Sequence, residues 1–134
     1  MNIPAKSMGI ERKEMPQINS ADVNDFILYL KTLGVSATSE KLDPKKLTAT
    51  QNQFHKEKIQ NLIDKIEDGN FSKSRIIVSK DNYVMDGHHR WLAHLNLGMP
   101  ILVNKIDAPA KKLLELMKDY PKSYTKKLYE NPNP

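Results

Sequence analysis

The residues with the most chemical capacity lie together at Asp86-Gly87-His88-His89-Arg90, between the apolar pair Val84-Met85 and Trp91. A β-like run ends here, a glycine turns the chain, and a helix pattern begins. The first turn of a helix has free N–H groups and the positive end of the helix dipole, so it attracts oxyanions. Gly87 removes the β-carbon that would block a phosphate. Arg90 can add a bidentate guanidinium. His88 and His89 can donate hydrogen bonds or move protons near neutral pH. Asp86 can hold Mg²⁺, act as a base, or cap the helix, and its cap and ligand readings weigh equally. Asp-Gly alone is a common turn, but the five residues together are a poor recipe for packing. They are read as a phosphate cradle. Trp91 is read as core, and His94 as a partly buried polar residue.

The elements around this cluster follow from periodicity. Val23, Phe26, Ile27, Leu30 and Leu33 make one helical face, stopped by Gly34. Val35–Leu42 is a short candidate strand, and Lys45–Gln53 a connector. Ile59, Leu62, Ile63 and Ile66 mark a helix over Lys56–Glu67, ended by Asp68-Gly69-Asn70. Arg75–Ser79 and Tyr83–Met85, joined by Lys80-Asp81-Asn82, read as a β-hairpin. The cradle helix then spans His88–Leu97 and stops at Gly98. Ile101–Ile106 is a strand, and Asp107 is placed to cap a last helix carrying Leu113, Leu114 and Met117. The fold class expected is α+β: a small mixed β-sheet with flanking helices. Residues 1–18 read as an arm, 19–120 as the domain, and 121–134 as a basic tail.

Composition sets the outer bounds. The 134 residues suit one domain, with 39% hydrophobic and 28% charged residues. There is no cysteine, which excludes a disulfide scaffold, a thiolate metal site and a cysteine nucleophile, and fits a reducing compartment. No apolar run approaches the roughly 20 residues of a membrane span, and residues 1–15 lack a signal-peptide core. A cytoplasmic protein without membrane contact is the expectation. The net charge is +5. Residues 16–107 carry twelve positive and eleven negative side chains, whereas residues 108–134 carry six and three. The tail is therefore the better candidate for a polyanion contact.

From Leu47 to Asp107 the sequence resembles the ParB/sulfiredoxin superfamily. Gln51 or Gln53 with the helix over Lys56–Ile66 resembles the glutamine-containing box. Arg75–Met85 resembles the central hairpin. Asp86–Ala93, ending at Gly98 and followed by Ile101–Ile106, resembles the signature helix and next strand. His88 stands where sulfiredoxins carry cysteine, so sulfinic-acid repair is excluded. Gly87 and Arg90 match the CTP-binding core of ParB proteins, whose second arginine is missing here. The phosphate loop is most similar to that of the ADP-dependent free serine kinase. The resemblance implies a nucleotide site made by Gln51, Gly87, His88, His89 and Arg90.

Three functions compete at this stage. The first is a phosphoryl-handling enzyme using ATP or ADP (CTP is a further candidate) with Mg²⁺ on Asp86. His88, His89 and Asp86 would be its catalytic groups. A second carboxylate is wanted, with Glu57 or Glu40 as candidates. The second is a metal-dependent nuclease steered onto DNA by Lys111, Lys112, Lys118, Lys122, Lys126 and Lys127 with Tyr120, Tyr124 and Tyr129. The third is a non-catalytic nucleotide-sensing or assembly module, able to oligomerise, of phage or plasmid type.

Overall fold

The computed structural model describes residues 1–70 and 74–125. The hairpin forms the middle of the sheet. Strand β4 (Ile76–Val78) and strand β5 (Tyr83–Asp86) run antiparallel, with Val78 opposite Val84. Their turn is closed by the Ser79 N–H on the Tyr83 carbonyl at 2.9 Å and the Asn82 N–H on the Ser79 carbonyl at 3.0 Å. Asn82 takes a left-handed conformation, which asparagine tolerates better than most residues.

Four more strands extend the sheet: β1 (Ser7–Ile10), β2 (Ala37–Leu42), β3 (Thr48–Gln51) and β6 (Ile101–Ile106). The order is β1-β3-β5-β4-β6-β2. β1, β3 and β5 are mutually parallel, β4 and β6 run parallel to each other, and β2 closes the far edge antiparallel to β6. With four helices the architecture is a mixed sheet flanked by helices, as expected. Strands β1 and β3 are additions. β1 places part of the segment read as an arm in the sheet. β3 has the polar sequence Thr-Ala-Thr-Gln, yet its last three residues are buried because it lies between two other strands.

Side-chain alternation divides the core between the two faces. Ile77, Met85 and Ile106 face α1 (Val23–Thr32) and α4 (Ala110–Asp119), where Phe26, Leu30, Leu113 and Met117 are buried with Met15 and Ile18. Ile76, Val78, Val84, Ile101 and Val103 face α2 (Lys56–Glu67) and α3 (His88–Leu97), where Ile59, Ile63, Ile66, Trp91 and Leu92 are buried. Trp91 is core, as read, and its indole N–H donates to the Pro44 carbonyl at 2.8 Å. His94 is buried with Nδ1 3.0 Å from the Pro100 carbonyl.

The start of α4 differs from expectation. Pro109 occupies the cap position, and the Ala110 N–H donates to Asp81 Oδ1 at 2.9 Å, so the hairpin turn supplies the acceptor. Asp107 instead forms an exposed ion pair with Lys80 at 3.5 Å. Residues 121–125 join the folded body through a two-way main-chain bridge between Gln17 and Tyr124. Among the described residues, no helix is long and apolar enough to cross a membrane.

Candidate functional site

β1, β3 and β5 all end at the same edge of the sheet. Beyond those ends lies a cavity of about 260 Å³, the general position of ligand sites in open α/β sheets. Gly87, His88, His89 and Arg90 at the start of α3 form one wall, with Asp86 at the end of β5. Gln51 adds the end of β3, and Lys58 and Leu62 add a side of α2. Ser74, Arg75 and Ile76 come from the entry to β4, while Arg12, Gln17–Ser20, Val23 and Tyr124 form the opposite wall. Three of these residues bring a charge to the cavity (Arg12, Lys58 and Arg90), whereas Arg75 turns its Nη1 to the Glu40 and Val103 carbonyls at 3.0 and 3.1 Å, and Asp86 is the one carboxylate among the described lining residues. Such an excess of positive charge favours an anion.

Gly87 is required for a reason other than phosphate access. Its φ is +94°, and a β-carbon there would lie 2.4 Å from Ile76 Cγ2. The glycine lets β4 and the start of α3 touch.

The two imidazoles point inward. His88 is 4% exposed and His89 6%. His88 Nε2 accepts the Thr50 N–H at 3.2 Å, with the Gln51 N–H 3.5 Å away and the Thr50 hydroxyl at 3.1 Å. His89 Nε2 accepts the His55 N–H at 3.0 Å, just ahead of α2. Nitrogens accepting N–H bonds carry no proton, so both rings are neutral with the proton on Nδ1. Burial lowers the His88 pKa to about 3, helped by the Arg12 charge. Burial lowers that of His89 to about 2, helped by Arg12 and Lys58. Donating or shuttling a proton through Nε2, as the sequence suggested, would break these main-chain bonds. Their observed work is to hold β3 and the start of α2 against α3.

Asp86 is the group poised near neutrality. Burial raises its pKa to about 6, against the opposing effects of the Ile18 and Gly87 N–H groups and of the Arg90 and Lys58 charges. Its Oδ2 accepts the Ile18 N–H at 2.9 Å. The helix cap is Gly87, without a side-chain cap bond, so Asp86 does not cap α3. Arg90 is held by Ser74, its Nη1 donating to the carbonyl at 3.1 Å and to Oγ at 2.8 Å. Gln51 is 1% exposed, and its amide donates to the Gln53 carbonyl at 2.8 Å.

The remaining sequence candidates lie elsewhere. Glu57 is exposed on the first turn of α2 and does not line the cavity, because the helix turns it to solvent. Glu40 sits on edge strand β2 and accepts the Thr38 hydroxyl at 2.8 Å. Lys111 and Lys112 are exposed on α4, away from the cavity lining. Lys122 pairs with Asp25 at 3.6 Å and Asp22 at 3.9 Å. Lys126 and Lys127 lie outside the described residues. No group of three or more metal-ligating side chains occurs among the described residues. One carboxylate among three cations suits Mg²⁺ only if phosphate oxygens supply further ligands.

Arg12, Lys58, Ser74 and Arg75 escaped sequence reasoning, and Tyr124, read there as a DNA contact of the tail, lines the cavity instead. Lys58 and Leu62, one turn apart and beside the Ile59–Ile63–Ile66 stripe, were the legible sign of a second functional face on α2.

No family model matches the chain, and no curated protein matches it. Among solved structures the chain is similar to a Pnob8-like ParB-N domain, at 16% identity and a TM-score of 0.46. The match covers 58% of this chain and 32% of that one, so the chain spans about a third of its length.

Proposed function

We propose that the cavity binds the phosphates of a nucleotide, with ATP, ADP and CTP as candidates and Mg²⁺ entering on the phosphates. The observation that carries this reading is the cavity at the start of α3, where the described lining brings together Arg12, Lys58 and Arg90 with one carboxylate, Asp86. Arg90 and the free N–H groups of the first helical turn would face the phosphate oxygens. The volume lies near the lower end for small-molecule sites, which run from roughly 300 Å³. Phosphates and part of a sugar would fill it, leaving the base near the mouth and its identity weakly read.

Phosphoryl transfer or hydrolysis is the activity this arrangement would serve, with Asp86 as the acid–base group because its pKa is near the working pH. A binding module without turnover is the second reading. It is favoured by His88 and His89, whose Nε2 atoms are engaged by main-chain N–H groups. A nuclease would need the cavity and tail lysines to share a surface, and Lys111, Lys112 and Lys122 are not in the lining.

Thermal shift with ATP, ADP, CTP and tripolyphosphate, each with and without Mg²⁺, tests the shared claim. A ligand at about 100 times its Kd adds about 2.7 kcal/mol to the folded state. No shift with any of the four, or an equal shift in Arg90→Ala, rejects the phosphate reading. Phosphate release abolished in Asp86→Asn selects the enzyme, binding without release selects the module, and Mg²⁺-dependent nicking of plasmid DNA selects the nuclease.

A further inference from the structure

Phosphates need only part of the cavity, and much of the remaining lining is apolar. Ile18, Val23, Leu62, Ile76 and Ile77 all line it. Ile18, Ile76 and Ile77 are buried, so the core already uses them. Val23 and Leu62 are half-buried and belong to different layers. Val23 opens α1 and packs against the core on that face of the sheet, whereas Leu62 packs against the core under α2 and α3. Leu62 lies off the Ile59–Ile63–Ile66 stripe and one turn beyond Lys58, which turns its outer side to the cavity. Both apolar layers therefore reach the cavity through side chains whose surface is still partly in water.

Apolar surface left wet beside a cavity favours a ligand that covers it. A phosphate chain cannot do so, because its charged oxygens keep their own water. A planar ring can, since its faces are apolar and its polar edge can stay solvated. The polar groups nearby suit such an edge but select little. Asn19 and Ser20 are exposed, Gln17 is half-buried, and Asn19 Oδ1 accepts the Tyr124 hydroxyl at 2.9 Å. A hydrogen bond from an exposed group replaces one to water and adds little net affinity.

We propose that Val23 and Leu62 form a platform for a nucleobase, so that the ligand is held at its phosphates by the start of α3 and at its base by apolar contact. The inference rests on the phosphate reading of the cavity and adds the contact at the ligand's other end, with Val23 supplied from outside the resembling region. The ligand class is then a ring-bearing phosphate, and inorganic oligophosphates bind more weakly. Base choice is loose, because aliphatic side chains touch every base alike.

Calorimetry on the full chain at fixed Mg²⁺ compares ATP, GTP, CTP and UTP with inorganic tripolyphosphate, in the wild type, Val23→Ala and Leu62→Ala. Covering roughly 60 Å² of apolar surface corresponds to about tenfold in affinity. The four nucleotides should therefore bind the wild type at least about tenfold tighter than tripolyphosphate, and within about tenfold of one another. Each alanine variant should weaken ATP about threefold or more and leave tripolyphosphate within about twofold, which also shows that the variant is folded. Titration of the wild type at several temperatures gives an independent readout. The heat-capacity change should be more negative for ATP than for tripolyphosphate, the mark of apolar burial. Equal affinity or equal heat-capacity change for the two, one base preferred more than about tenfold, or alanine variants that weaken both ligands alike overturn the inference and leave the phosphate reading standing. No binding of either ligand by the wild type overturns both. If the alanine variants are unfolded by circular dichroism, the wild-type affinities and heat capacities decide the matter.

Discussion

Lowering the pH from 7 to 5 should destabilise this protein long before ordinary carboxylates titrate, and the cause is the buried imidazole pair. His88 and His89 have pKa values near 3 and 2 in the folded state, against 6.5 when unfolded. A lowered histidine pKa means that the unfolded chain takes up protons first. The stabilisation is complete above pH 6.5 and is lost as pH falls below it. Each such histidine removes about 1.4 kcal/mol per pH unit. Asp86 acts in the opposite sense. Its folded pKa of about 6 lies above the unfolded 3.8, so its contribution is complete below 3.8 and is lost as pH rises through 6. The net slope is therefore about 3 kcal/mol per unit just below pH 6.5 and about half that below pH 6. Near 3 kcal/mol should be gone by pH 5, a large share of the roughly 5–15 kcal/mol typical of a domain. Urea unfolding at half-unit pH steps measures it. In His88→Gln and His89→Gln the amide oxygen can replace Nε2 as acceptor without titrating, so each variant should lose about half of the initial slope. A wild-type stability flat between pH 7 and 5, or variants with the full slope, would refute the assignment of neutral, main-chain-bonded rings.

Other expectations follow from the same geometry. Gly87→Ala should cost more than about 2 kcal/mol by urea unfolding, since φ is +94° and the new methyl meets Ile76 Cγ2. Gly98→Ala, at φ +65° with no atom within 4 Å, should cost only about 1 kcal/mol, and similar costs for the two would contradict the packing argument. Anion affinity should fall as pH rises through about 6, where Asp86 ionises in the cavity, and Asp86→Asn should flatten that profile in a calorimetric titration. Glu57→Gln and Lys122→Ala should each leave nucleotide binding within twofold and stability within about 0.5 kcal/mol, because both side chains are exposed and outside the cavity lining.

The elements around the cluster were legible wherever one physical signal dominated. Apolar residues at helical spacing gave α2 over Lys56–Glu67, and two β-branched runs around Lys80-Asp81-Asn82 gave the central hairpin. β3 was illegible because Thr50 and Gln51 are buried through partners, namely the Val84 carbonyl, His88 and the Gln53 carbonyl, which a linear pattern does not display. The site was legible in part. Asp86, Gly87 and Arg90 announce themselves as neighbours, and the structure lines the cavity with all three. The direction in which His88 and His89 point depends on where β3 and the start of α2 end up. Arg12 is brought in from a part of the chain that carries no chemical pattern of its own. Gly87 was singled out for phosphate access, whereas the constraint on it comes from Ile76 across the sheet.

The central place of the β4–β5 hairpin has a consequence for how the chain finds its shape. Val78 and Val84 meet after closing a very short loop, and α3 follows directly. The outer strands wait on distant partners: β2 meets β6 with Ala37 against Ile106, and β1 meets β3 with Ser7 against Ala49. Loop closure favours near neighbours, so assembly should start at the hairpin and spread outward. Substitutions in Ile76, Val84 or Trp91 should slow refolding, while those in Ser39 or Met8 should mainly hasten unfolding.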